Sequence, residues 1–147
     1  MGSEESALRV VVGLDGSSSS HSALRWAVHQ ARLIGGVVDA ITAWELPVLY
    51  GWPASAPMID TDVDEQLAQR SLDEQLDEVL GESRPVEVRA RVVRANPAEV
   101  LLNAAVGAEL LVVGSRGRGT FARALLGSVS QQCALHETCP VAIVRPG

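Results

Sequence analysis

Two rhythms of apolar residues alternate along this chain. Leu8-Arg9-Val10-Val11-Val12-Gly13-Leu14 is a short, nearly unbroken apolar run closed by Asp15-Gly16, the pattern of a strand buried on both faces. The serines from Ser17 to Ser20 then offer helix N-caps. Leu24, Ala27, Val28, Ala31 and Ile34 follow at helical spacing until Gly35-Gly36 stops the helix. Val37 to Trp44 predicts a second strand. The third covers residues 86–93, where Val86, Val88, Ala90 and Val92 alternate with polar residues. Alternation marks an edge position with one wetter face. Asn96-Pro97-Ala98-Glu99 opens another helix with a cap, a proline at its first position and an acid at its third. That helix is expected to run to Gly107, followed by strand four at residues 109–113 and strand five at Val141–Val144. Between strands two and three, a Pro- and Gly-containing loop leads into an acidic helix over residues 62–80, with Val63, Leu67, Leu72, Leu76 and Val79 inward.

Strands alternating with helices imply βαβ units and a parallel sheet covered on both faces. The expected fold is therefore α/β: an open parallel sheet of five strands, whose order periodicity does not give, forming one domain over residues 1–147. Residues 1–7 are expected to be disordered and 46–60 to form a lid-like loop. Aromatics supply only 3% of the chain, so the core must be built from Val, Leu, Ala and Ile. The formal net charge of -6 disfavours general affinity for nucleic acid or an anionic membrane. No apolar run reaches the roughly 18 residues of a membrane span, and the acidic start lacks the order of a signal peptide. Cys133 and Cys139 are spaced neither as a redox pair nor as zinc ligands. Together these features predict a cytoplasmic protein with reduced thiols.

In such sheets, ligands bind beyond the carboxyl ends of the strands where the winding reverses. In the order 3-2-1-4-5 that point lies between strands one and four. The loop after strand one is Gly13-Leu14-Asp15-Gly16-Ser17, and strand four runs into GSRGRGTFARALLGSVS, residues 114–130. A Walker A loop needs a lysine, and every basic residue of this chain is an arginine. Gly117-Arg118-Gly119-Thr120-Phe121-Ala122 partly matches a dinucleotide fingerprint, but it follows the fourth strand and lacks the distal acid. A third reading spreads the glycines as Gly114, Gly117 and Gly127-Ser128. Ser128-Val129-Ser130-Gln131 has the form of a capping box, so a helix starts there and its first amides face an anion site. Arg116 or Arg118 could add charge-assisted contacts. The plainer alternative is that each glycine only permits a turn and Ser128 only caps. The histidines add little chemistry: His21 and His29 are expected as solvated residues of the first helix, and His136 follows the last one.

With these blocks in order, the chain resembles a universal stress protein of the small, single-domain type. The motif is G-2x-G-9x-G-[ST], complete as Gly114-Ser115-Arg116-Gly117, nine residues, then Gly127-Ser128. The strand-one block, Asn96-Pro97-Ala98-Glu99-Val100-Leu101 and Cys139-Pro140-Val141-Ala142-Ile143-Val144-Arg145 carry the rest. The resemblance implies an adenine nucleotide alpha hydrolase-like sheet in the order 3-2-1-4-5, with ATP at the strand-one/strand-four reversal. It implies that Asp15 bonds the ribose or adenine region with Gly13 and Leu14 beside it, and that Ala43 lines the adenine pocket. Gly114, Arg116 and Gly117 would run along ribose and phosphates, and Gly127, Ser128, Val129 and Ser130 would hold the phosphates. It further implies a homodimer paired through Val141, Ala142, Ile143 and Val144. One departure is Ala95, where many relatives carry a glycine. The implied function is a nucleotide-dependent regulatory module in stress response. Asp15 could hold a Mg2+ accompanying ATP, but one carboxylate engaged with ribose is a poor catalyst. Three alternatives stay open: a slow ATPase or self-phosphorylating protein with Ser17, Ser128 or Ser130 as acceptor, a binder of AMP or cyclic AMP, and a ligand-free scaffold.

Overall fold

β1 (Arg9–Gly13) is the central strand of a five-stranded parallel sheet with the order β3-β2-β1-β4-β5. The computed structural model describes residues 8–44, 61–82, 84–115, 128–135 and 139–146. Around β1 lie β2 (Val37–Trp44), β3 (Val88–Arg94), β4 (Leu110–Gly114) and β5 (Val141–Val144). The helices between them are α1 (Ser18–Ile34), α2 (Thr61–Leu80), α3 (Pro97–Ala104) and α4 (Ser128–Leu135). Register is set by Val10 opposite Val38 on β2 and Leu110 on β4, and by Leu111 opposite Val141 on β5. Strand ends differ from the sequence expectation by a residue or two, most at β3, and α3 ends at Ala104 instead of running to Gly107.

The unbroken apolar run of β1 has a direct cause. Val10 and Val12 pack with Leu24, Ala27, Val28, Leu72 and Leu76 on the α1/α2 face. Val11 packs with Val100, Leu101, Leu111 and Cys133 on the α3/α4 face. Both faces are covered, so the positions that follow Arg9 along the strand are apolar. β3 is an edge strand, as its alternation predicts, with Arg89, Arg91 and Arg94 exposed.

The helices start and stop where local chemistry dictates. Ser17 caps α1, its Oγ accepting from Ser20 N at 3.1 Å, and Gly35 ends it at φ 70. Asn96 caps α3 by accepting from Glu99 N at 3.2 Å, with Pro97 at the first position. At the other end of α3 the Arg9 guanidinium donates to Ala104 O at 3.1 Å and Val106 O at 3.0 Å, and pairs with Asp39 at 3.1 Å. A cation there satisfies carbonyls that a helix C-terminus leaves open.

α2 departs from expectation at one position. Leu72 and Leu76 are buried and Val79 packs against them, but Leu67 is 54% exposed. The side chain of Val63 lies outside the described residues. Both α1 and α2 run antiparallel to the strands, hence parallel to each other. His21 Nε2 meets Gln75 Oε1 at 3.1 Å and fixes their register. Leu67 then sits about 12 Å above that contact at about 1.5 Å per residue, whereas α1 begins only about 4.5 Å above it. Leu67 has run past its neighbour. The same bond corrects the expectation for His21, which is half-buried between helices, while His29 is exposed as expected.

Candidate functional site

The carboxyl ends of β1 and β4 are joined side by side, and three serines do much of the joining. Beyond β1, Leu14 is buried; its N–H donates to Ile41 O at 2.9 Å and its carbonyl accepts from Thr42 Oγ1 at 3.0 Å. β2 thereby fixes where the next residue emerges. That residue, Asp15, is exposed, and its Oδ1 accepts from Ser17 N at 2.9 Å and Ser17 Oγ at 2.5 Å. Asp15 N also donates to Ser20 Oγ at 3.4 Å. The turn is therefore closed by its own side chains, and the start of α1 is capped from within.

Gly114 ends β4 directly beneath that turn. A Cβ on it would stand 2.6 Å from Ser19 Oγ, 2.8 Å from Ser19 C and 2.9 Å from Ser20 N. Two of these three atoms are backbone and cannot swing away. Glycine is needed here so that the first turn of α1 can sit on the end of β4. The close approach is internal to the fold, and it brings the two loops of the switch point together.

Ser115 comes next and is buried. Its N–H donates to Val144 O at 2.8 Å on β5, and its carbonyl accepts from Ser130 Oγ at 3.3 Å on α4. Ser130 is itself buried. The start of α4 is thus tied to the end of β4, and the first amides of that helix lie at the carboxyl edge of the sheet. Such a terminus favours an anion. Ala43 on β2, Val93 on β3 and Val129 on α4 pack half-buried against the apolar cluster of this face, which gives the site a nonpolar floor. Gly13 lies in the same layer, close to Leu101 Cδ1.

The sequence-expected residues Gly13, Leu14, Asp15, Ala43, Gly114, Val129 and Ser130 are accordingly brought to one end of the sheet. Ser128 begins α4. Arg116, Gly117 and Gly127 lie outside the described residues, as do the side chain of Ser128, His136, residues 1–7 and the loop at 46–60. Sequence reasoning missed Thr42 and the anchoring role of Ser115. The latter occupies a variable position of the glycine motif, and no local signal reveals its buried bonds. No group of three or more His, Cys, Asp or Glu that could hold a metal occurs among the described residues. The first amides of α4 can receive an anion.

A separate groove of about 480 Å³ opens on the α3 face, lined by Arg9, Asp39 and Arg91 from the sheet and Glu99 and Asn103 from α3. On α4, burial alone pushes the Cys133 thiol up to about 11, so it is a packed, unreactive group.

Comparison with known proteins sets this geometry in a family. The family model described as universal stress protein family matches residues 7–145. A universal stress protein of Mycolicibacterium smegmatis is 30% identical over 92% of this chain and 47% of its own length. One of Mycobacterium tuberculosis is 35% identical over 92% of this chain and 44% of its own. The chain thus spans about half the length of these curated relatives. Among solved structures, a universal stress protein of Lactobacillus plantarum superposes with a TM-score of 0.77 at 21% identity, covering 94% of this chain and 97% of that one. A structure described as a universal stress protein in complex with cAMP is 29% identical, with a TM-score of 0.63 and coverage of 96% and 98%. The family match runs through all five strands and both loops of the switch point, and the chain belongs to the universal stress protein family.

Proposed function

We propose that this chain binds an adenine nucleotide across the ends of β1 and β4, and that it works as a regulatory module whose state follows nucleotide occupancy. ATP is the ligand that the complete glycine motif favours. The observation that carries the reading is the Ser115 anchor, which holds the start of α4 beside the Asp15 turn. In this reading Asp15 bonds the ribose or adenine region beside Gly13 and Leu14, and Ala43 lines the base. Gly114, Arg116 and Gly117 follow the ribose and phosphates. Gly127 and the amides of Ser128, Val129 and Ser130 receive the phosphates. Gly114 contributes through its backbone, since its side-chain direction is taken up by α1. Asp15 is also engaged by Ser17, which suits holding a ligand better than activating water.

The protein is proposed to act in the cytoplasm as a homodimer paired through β5. Val141, Ala142, Ile143 and Val144 form a sheet edge whose outer backbone groups offer a template for a second strand. A second reading, cyclic AMP as the ligand, is favoured by the 29% identical relative whose structure holds it. Competition separates the two. With ATP as the ligand, excess cyclic AMP leaves bound ATP in place; displacement of ATP by a lower concentration of cyclic AMP gives the second reading instead.

A further inference from the structure

The peptide group between Leu14 and Asp15 is held at both ends by side chains. Thr42 Oγ1 donates to the Leu14 carbonyl at 3.0 Å, and the Asp15 N–H donates to Ser20 Oγ at 3.4 Å. Before that point β1 and β2 are joined by an ordinary backbone ladder. It opens with Val37 N donating to Leu8 O at 2.8 Å, and Cα partners then run from Arg9 with Val37 to Gly13 with Ile41. Alternate residues of a paired strand face the same neighbour, so Val37, Asp39, Ile41 and Ala43 turn their backbone groups toward β1. Leu14 N, donating to Ile41 O at 2.9 Å, keeps this phase. The next rung in the series is Ala43 N to Leu14 O. Among the described residues that bond does not form, and the Thr42 hydroxyl takes the Leu14 carbonyl instead. Val38 and Ala40, which share the side of β2 with Thr42, are buried and apolar. Packing on that side therefore gives no reason for a hydroxyl at the third position.

We infer that Thr42 is a positioning residue of the nucleotide site, an inference that rests on the reading proposed above. It ends the β1–β2 ladder one rung early and leaves the Ala43 N–H open beside the end of β1. Ala43 is half-buried and packs on the α3/α4 face, where that reading puts the base. A backbone donor left without a partner at such a position costs free energy unless something from outside the chain accepts from it. A ring nitrogen of the base is an acceptor of the right kind. Thr42 acts through Leu14 and Ala43 and not by contact with the ligand.

Thr42→Val keeps the shape of the side chain and removes its donor, so that the Leu14 carbonyl turns to the Ala43 N–H and closes the missing rung. Backbone hydrogen exchange, read by NMR on the full chain without ligand, is expected to show Ala43 exchanging faster than Ile41, which lies inside the ladder. In Thr42→Val the Ala43 amide should exchange more slowly than in the wild type. ATP affinity, measured by calorimetric titration, should fall about fivefold in that variant, the worth of one hydrogen bond. Thr42→Ser keeps the hydroxyl and should restore both the exchange rate and the affinity. A merely structural role would do the reverse at Ala43, because a loosened β2 exchanges faster. Protection of the Ala43 amide in the ligand-free wild type, faster exchange in Thr42→Val, or undiminished ATP affinity in that variant overturns the inference. Absence of ATP binding to the wild type overturns the nucleotide reading itself, and the exchange rates then still decide whether Thr42 opens the amide.

Discussion

At Gly114 a missing Cβ decides how two segments 95 residues apart can touch. Gly114→Ala drives a methyl into the backbone of Ser19 and Ser20, and overpacking of this kind costs about 1–3 kcal/mol. Thermal unfolding should show it as a lowered Tm without ligand, which a purely ligand-contacting glycine would not produce. The presence of glycine was legible in the sequence, but its cause was not, because the atoms that demand it belong to α1. Cys133 offers a second check at this scale. Burial raises its thiol from an ordinary 9.0 to about 11. The folded state therefore holds the proton more tightly than the unfolded chain. The stability this contributes is complete below pH 9 and is lost as pH rises through 11. Denaturation midpoints of the wild type should fall over that window more steeply than those of Cys133→Ala, and Cys133 should resist iodoacetamide at neutral pH.

Among the elements, α2 marks where periodicity succeeds and where it stops. Helical spacing identified the inward face, and Leu72 and Leu76 are buried on it. Spacing says nothing about how far the neighbouring helix extends, so Leu67 was assigned to a core that ends before reaching it. Leu76→Ala is expected to cost about 2–5 kcal/mol and Leu67→Ala less than about 0.5 kcal/mol, a contrast that chemical denaturation resolves. α3 shows the same limit at its end. Its capping sequence Asn96-Pro97-Ala98-Glu99 was readable, but Arg9 closes its C-terminus from a strand 95 residues away. A single arginine inside an apolar run reads as a strand position and nothing more.

For the whole molecule, the parallel sheet was legible in the alternation of strands and helices, whereas the strand order came from the family resemblance. Past Arg9, β1 is as apolar as β4, β3 alternates at the edge, and the two glycine-bearing loops follow neighbouring strands. The order explains why the candidate site lies between β1 and β4: connections leave to opposite sides there and open a crevice. What the pattern could not display was the Ser115–Ser130 bond that holds α4 over that crevice. Ser130→Ala removes the buried donor, which should lower stability by about 1 kcal/mol and weaken nucleotide binding through displacement of the helix start. The central claim is nucleotide binding at this crevice, and calorimetric titration of ATP into the wild type and Gly117→Val tests it most directly. The account predicts saturable binding to the wild type at one site per chain. It predicts loss of that binding in the variant, with the circular dichroism spectrum unchanged. Equal affinity in the two proteins, or no binding to the wild type, would contradict it.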